Sequence, residues 1–298
     1  MSVAALAALI LLAVALAWPV PRVMAGLTAF RRAPRPALVV WQATAVAAVL
    51  AALFAAPAAV PLFLDGSGPV DEQLIPVAVA ALLSGIVAAR LLLSGHRVGT
   101  NLRAVRRQHR ELVDLLAVHG DTQVRVLEHP TPTAYCVPGI QRRVVLTQGT
   151  IDTLPGRELD AVLAHERAHL VARHDLVMEF FTVVHEAVPR FMRSSAALRE
   201  VNLLIEVLAD RAAVRETSAV LTGRAIVRMA GGPKPAGTMA IREAPSAARV
   251  RLGLLDDEAR IAGMPPALVS VGMYAFALSL VAMPFALLVG ALTGVTAS

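Results

Sequence analysis

The chain has 298 residues, of which 56% are hydrophobic, 17% charged and 4% aromatic, with a mean hydropathy of +0.63. Soluble domains average roughly 45–50% apolar and about 25% charged residues, so this balance excludes a disordered chain and an ordinary water-soluble globule. The net charge of +6 comes from 27 Arg and one Lys, and the single cysteine, Cys136, excludes a disulfide framework or a thiolate-rich metal cluster.

The apolar excess sits at the two ends. No Lys, Arg, Asp or Glu occurs in 2–21, 36–64, 73–89 or 261–298, and a bilayer core of about 30 Å needs roughly 20 apolar residues as a helix. The spacing predicts four transmembrane helices, about 2–19, 38–60, 75–94 and 267–292. Residues 1–94 then form a three-span unit, and 267–298 a fourth span with a short tail. Arg90 can snorkel from the third span to the interface. The first span lacks the positive n-region of a signal peptide, its first basic residue being Arg22, so it is expected to be retained.

Loop charge sets the expected orientation. Arg22, Arg31, Arg32 and Arg35 lie between the first two spans, and Asp65, Asp71 and Glu72 between the second and third. Six arginines, from Arg90 to Arg110, accompany the end of the third. Positive loops stay in the cytoplasm. A multi-pass protein of the cell membrane is expected, with both termini outside and 95–266 cytoplasmic. The basic balance is then a topology signal. Direct nucleic-acid binding is not expected, because no aromatic stacking residues interleave with the arginines.

Segment 95–266 has ordinary soluble composition, with 23 basic and 19 acidic residues. Residues 100–118 read as an amphipathic helix at an anionic lipid surface, with Leu102, Val105, Leu112, Leu115 and Leu116 as its apolar stripe. Residues 123–128 and 143–147 read as strands, separated by the turn-rich TPTAYCVPGI. A helical pattern opens at Pro155, and 229–248, with five Gly and Pro residues between 231 and 237, reads as a loop.

The helix from 156 contains His165-Glu166-Arg167-Ala168-His169, an H-E-x-x-H match. Residues four apart on a helix are neighbours, so both imidazoles can reach one ion, while Glu166 points beside it as a general base for the attacking water. A zinc ion, one per chain, would lower the water pKa towards about 7 and polarise a scissile carbonyl. The third ligand is expected from the next long helical pattern, where Glu206 is set in an apolar run, a costly place for a charge without a cation. Asp210, four residues on, faces the same way and is placed to accept the free N–H of a ligand histidine. An ordinary ion pair of these acids with Arg211 or Arg215 is the alternative. His174, five residues past His169, is expected to point away. Asp175 is expected to pair with Arg173 or to cap the next helix. His185 reads as a structural histidine.

The run LAHERAHLVARHD (163–175), followed by EVLAD (206–210) and preceded by TAYCVPGIQRRVVLTQGTIDTL (133–154), resembles the gluzincin membrane peptidases of the BlaR/MecR antirepressor type. The resemblance covers roughly 120–215. It implies zinc bound by His165, His169 and Glu206, with Glu166 as catalytic base. It also implies a cytoplasmic protein substrate such as a DNA-binding repressor. The expected fold is mainly α: four transmembrane helices with a cytoplasmic α+β zincin-like metallopeptidase domain, 95–266, between spans three and four. The expected substrate-pairing strand is 143–147. The chain contains no S-x-x-K acylation motif, its only lysine being Lys234, so the extracellular penicillin-binding sensor domain of that family is not expected. A quality-control or prenyl-protein-type protease and a non-proteolytic zinc-binding transducer are the alternatives.

Overall fold

The computed structural model describes residues 2–64, 70–119, 123–139, 142–230, 245–256 and 266–293. Helix α1 (Ser2–Ala17) is apolar all round and breaks at Trp18, where Pro19 and Pro21 open α2 (Pro19–Gly26) at a bend of 40°. A 3₁₀ turn at Thr28–Arg32 leads to α3 (Pro34–Leu64), which runs through Pro57 and Pro61, and then to α4 (Val70–Leu116). The last helix of the chain is Pro266–Thr293. Three described segments, Pro34–Leu62, Leu74–Leu116 and Ala267–Thr293, are long and apolar enough to cross a membrane. The bent α1–α2 pair makes a fourth if it counts as one span.

Close packing in this bundle is built on alanine. Leu9 meets Ala51, Ala58 and Ala291, while Leu6 meets Ala55, Ala59 and Ala80. Small side chains let helix backbones approach where no hydrophobic drive separates protein from lipid. Phe54 and the last helix's Phe285 add an edge-to-face pair with ring centroids 5.0 Å apart.

Helix α4 does not stop at the end of the third span. It continues through 95–116 without interruption, so the basic stretch belongs to the same rod and does not form a separate surface helix. Its inward side also differs from the expected stripe: Leu112, Leu115 and Leu116 are exposed, whereas Val113 packs with Tyr135, Val137 and Val145. Arg106 is turned towards Asp175 and Glu179, at 3.7 and 3.4 Å. The sequence stripe missed this because the helix packs on a domain that offers both apolar and acidic partners.

Four short strands follow: β1 (Ala117–His119), β2 (Val124–Leu127), β3 (Ala134–Val137) and β4 (Arg143–Thr147). Their order is β1-β2-β4-β3, with β2 and β4 parallel and the outer pairs antiparallel. Strand β3 was hidden in the turn-rich reading because Pro132 and Pro138 bracket it. Its presence corrects the substrate strand: β4 is paired on both sides, and the edge strands among the described residues are β3, on the side of α6, and β1 at the far side. Thr147 caps α5 (Gln148–Thr153) by accepting from the Thr150 N–H, and Thr133 N–H donates to the hydroxyls of both threonines. Gly149 is required here, since a Cβ would lie 2.0 Å from the Pro130 carbonyl oxygen.

The rest of the domain is helical: α6 (Gly156–Val171), α7 (His174–Ala187), α8 (Ser195–Glu216), α9 (Ala219–Met229) and α10 (Pro245–Asp256), with the Pro266–Thr293 helix becoming α11. Residues 231–244 of the expected loop lie outside the described residues, and its end is corrected, because α10 already begins at Pro245. One core joins the sheet to α6 through Cys136, Val144, Leu146, Ala161 and Leu170. A second joins the domain to the spans: Phe181 of α7 and Val201, Leu204 and Ile205 of α8 pack with Leu38, Val40 and Trp41 of α3 and Leu280 of α11.

Candidate metal centre

Helix α6 lies between the sheet and α8, and its motif face is turned to α8. His165, His169 and Glu206 each offer a ligand atom, and these atoms all lie within 4.8 Å of one another. The two Nε2 atoms are 3.1 Å apart, and Glu206 oxygens lie 3.4 Å from His165 Nε2 and 3.7 Å from His169 Nε2. The pairing follows from helical period: positions 165 and 169 share one stripe of α6, and 206 and 210 share one stripe of α8.

The outer nitrogens are also held. His165 Nδ1 is 3.0 Å from Asp210 Oδ1. Donation of Nδ1–H to that carboxylate leaves the Nε2 lone pair facing the shared point. His169 Nδ1 is 2.9 Å from His174 Nδ1, which corrects the expectation that His174 points away. That expectation assumed a continuous helix. Helix α6 ends at Val171, and Arg173 takes the left-handed conformation with φ 52°. The turn brings His174 back beside His169. Burial keeps His174 neutral, its pKa pushed down to about 4, so it can serve as acceptor for His169 Nδ1–H. Asp175 behaves as expected, 3.5 Å from Arg173 Nε.

Sequence reasoning missed Arg251. From α10 its Nε and Nη2 donate to the two Asp210 oxygens at 2.7 and 2.6 Å, and its Nη1 lies 3.1 Å from Glu206 Oε2. It is 5% exposed. Arg211, the alternative partner for these acids, donates to the Arg32 carbonyl. No local pattern distinguishes Arg251 from Arg249 or Arg228; only the placement of α10 over α8 singles it out.

The charges at this centre fit a divalent cation. Among the described residues, Glu166, Glu206 and Asp210 bring three carboxyl groups to two imidazoles, and Arg251 pairs with Glu206 and Asp210. Burial opposes a charged His165, but its hydrogen bonds and attraction to Asp210 and Glu206 outweigh that and raise its pKa to about 9. The field that holds a proton there also holds a metal ion. Burial likewise disfavours charge on Asp210, yet Arg251 and His165 keep its carboxyl below the usual range. Cys136 is not a ligand candidate: burial first, then the carboxylates of Glu166, Asp175 and Glu206, push its thiol pKa far up. Two imidazole nitrogens and one carboxylate are a donor set suited to zinc.

Glu166 is buried and lines a narrow cleft of about 70 Å³ together with His165, Thr133, Ala134, Ile226 and Arg251. The cleft therefore joins the motif helix to the start of β3.

Residues 100–228 match the family described as Peptidase family M48, whose members use zinc. Over 78 residues the chain is 38% identical to the mitochondrial metalloendopeptidase OMA1 of Schizosaccharomyces pombe, an overlap of 24% of this chain and 23% of that protein. The chain thus spans about a quarter of the length of this curated relative. No solved structure matches. Both matches are to peptidases, and the second is to a metalloendopeptidase. The family match contains His165, Glu166, His169, Glu206 and Asp210 but ends before Arg251.

Proposed function

We propose that this protein is a membrane-embedded zinc endopeptidase that cleaves a regulatory protein on the cytoplasmic face, in the manner of the BlaR/MecR antirepressors it resembles. The observation that carries the peptidase reading is the convergence of His165, His169 and Glu206 beside Glu166, in a cleft that reaches the sheet's edge strand. The succession of apolar helices around the domain and the arginine-rich loops support the cytoplasmic placement.

His165, His169 and Glu206 would hold the ion, which when bound acidifies water and polarises a carbonyl. Asp210 and His174 fix the two ligand imidazoles by their outer nitrogens. Arg251 fixes Asp210 and prevents a buried, uncompensated carboxylate. An extended substrate backbone adds to the free edge of β3 and is thereby aligned along the cleft. Glu166 takes the proton of the attacking water and passes it to the departing amine.

The test is Glu166→Gln in the full-length protein in its membrane. Metal content should stay at one per chain, while cleavage falls by about 10²–10⁴-fold, the usual contribution of a general base. Comparison of cytoplasmic protein N-termini between wild type and this variant should show one regulator cleaved only by wild type. Many cleaved proteins would indicate a quality-control protease, and unchanged cleavage would remove Glu166 as the base.

A further inference from the structure

Helices α1, α3 and α4 leave between them, and beneath the junction of α7 and α8, a cavity of about 380 Å³. Small-molecule sites typically measure about 300–1,000 Å³. The wall is apolar along α3 from Trp41 to Ala55 and along α1 from Ile10 to Ala17. Arg90, His185 and Arg193 add polar groups where α4 meets the α7–α8 junction.

Two independent features ask for a ligand with oxygen acceptors. Trp41 lines the cavity and is 2% exposed, yet its indole Nε1 has no hydrogen-bond partner. A buried donor normally finds one, and an apolar cavity offers water too few partners to fill that role. Arg90 donates its Nε–H to the Ala187 carbonyl and has no carboxylate within ion-pair distance among the described residues. Arg193, by contrast, is matched by Glu186 at 3.0 Å. A long apolar wall, an unused N–H and an uncompensated guanidinium together describe the complement of an anionic amphiphile. A transmembrane helix about 10–12 Å across would fill this volume with about one turn, so the space suits an acyl chain better than a partner's span.

We propose that this cavity binds one anionic glycerophospholipid from the leaflet on the peptidase side. Its chain lies along α3 between α1 and α4, an oxygen accepts from Trp41 Nε1, and its phosphate faces Arg90. Ala197 and Leu198 also line the cavity, so the bound lipid touches the helix that carries Glu206. The inference rests on the spans and stands whether or not the metal centre hydrolyses peptides.

The two tryptophans provide the test. Trp18 is 44% exposed and reports bulk lipid; a Trp18→Phe background leaves Trp41 as the sole tryptophan, excited selectively at wavelengths where the two tyrosines do not absorb. The full-length protein is reconstituted into phosphatidylcholine vesicles with increasing phosphatidylglycerol brominated on its chains. Quenching of Trp41 should saturate at a few mol% of the anionic lipid. Ala45→Phe, which fills the cavity one turn from Trp41, should raise the half-saturation point at least fivefold, and Arg90→Gln about fivefold. Non-saturating quenching that tracks bulk bromine and is equal in Ala45→Phe would overturn the site. Equal saturation by brominated phosphatidylcholine, unchanged in Arg90→Gln, would overturn its anionic ligand.

Discussion

Helix α8 has two unlike faces, and the contrast between them explains how a candidate metal centre is mounted on a bundle of apolar helices. Val201, Leu204 and Ile205 face the spans and are fully buried among leucines, valines and alanines. Glu206 and Asp210 face α6 and are almost as buried, but they meet directional polar partners there: two imidazoles and a guanidinium at 2.6–3.7 Å. Dispersion and area burial tolerate a change of shape. A buried charge does not tolerate the loss of its partner.

The sharpest break of this comparison is Glu206→Gln. It is nearly isosteric, so the fold should persist by circular dichroism, while bound metal measured by mass spectrometry falls from one per chain to near zero. Retention of stoichiometric metal would remove Glu206 from the ligand set. Next in size is Asp210→Asn, which weakens the hold on His165 and removes one of the two carboxylates that Arg251 pairs with. Metal affinity measured against a competing chelator should drop about 10–100-fold. On the opposite face, Leu204→Ala should cost about 2–5 kcal/mol of stability by opening a cavity against α3, yet leave metal stoichiometry unchanged in the protein that stays folded. Ile205→Val is the mildest case: about 0.5–1.5 kcal/mol, with cleavage rates unaltered. If Ile205→Val disturbed metal content as much as Asp210→Asn, the two faces would not be separable.

Much of the candidate site was legible because it is written in helical period. The four-residue spacings 165–169 and 206–210 mean the same thing on any α-helix, and an acid inside the apolar run Leu203–Leu208 announces a partner. The three long spans were legible for a similar reason, since a stretch without charge has few folds open to it in lipid. What escaped depends on chain reversal and long-range docking. His174 was misdirected because Arg173's left-handed turn ends the helix on which the spacing argument relied. Strand β3 was masked by flanking prolines, and its role as the edge depends on β2 and β4 pairing in parallel across it in the chain order. The juxtamembrane stripe failed because α4 buries Val113 against the domain and turns the half-buried Arg106 towards Asp175, while Leu112 and Leu115 are exposed.

The sequence by itself determined the membrane-spanning character, the two stripes that carry the metal donors and the class of chemistry they support. Local periodicity and composition are sufficient for these, because each concerns residues within a turn or two of one another. The tertiary structure alone decided that Arg251 locks Asp210, that His174 backs His169, that β3 and not β4 presents the edge, and that the spans enclose a cavity under Trp41. Each of these joins residues with no fixed spacing in the chain, brought together only when the elements pack.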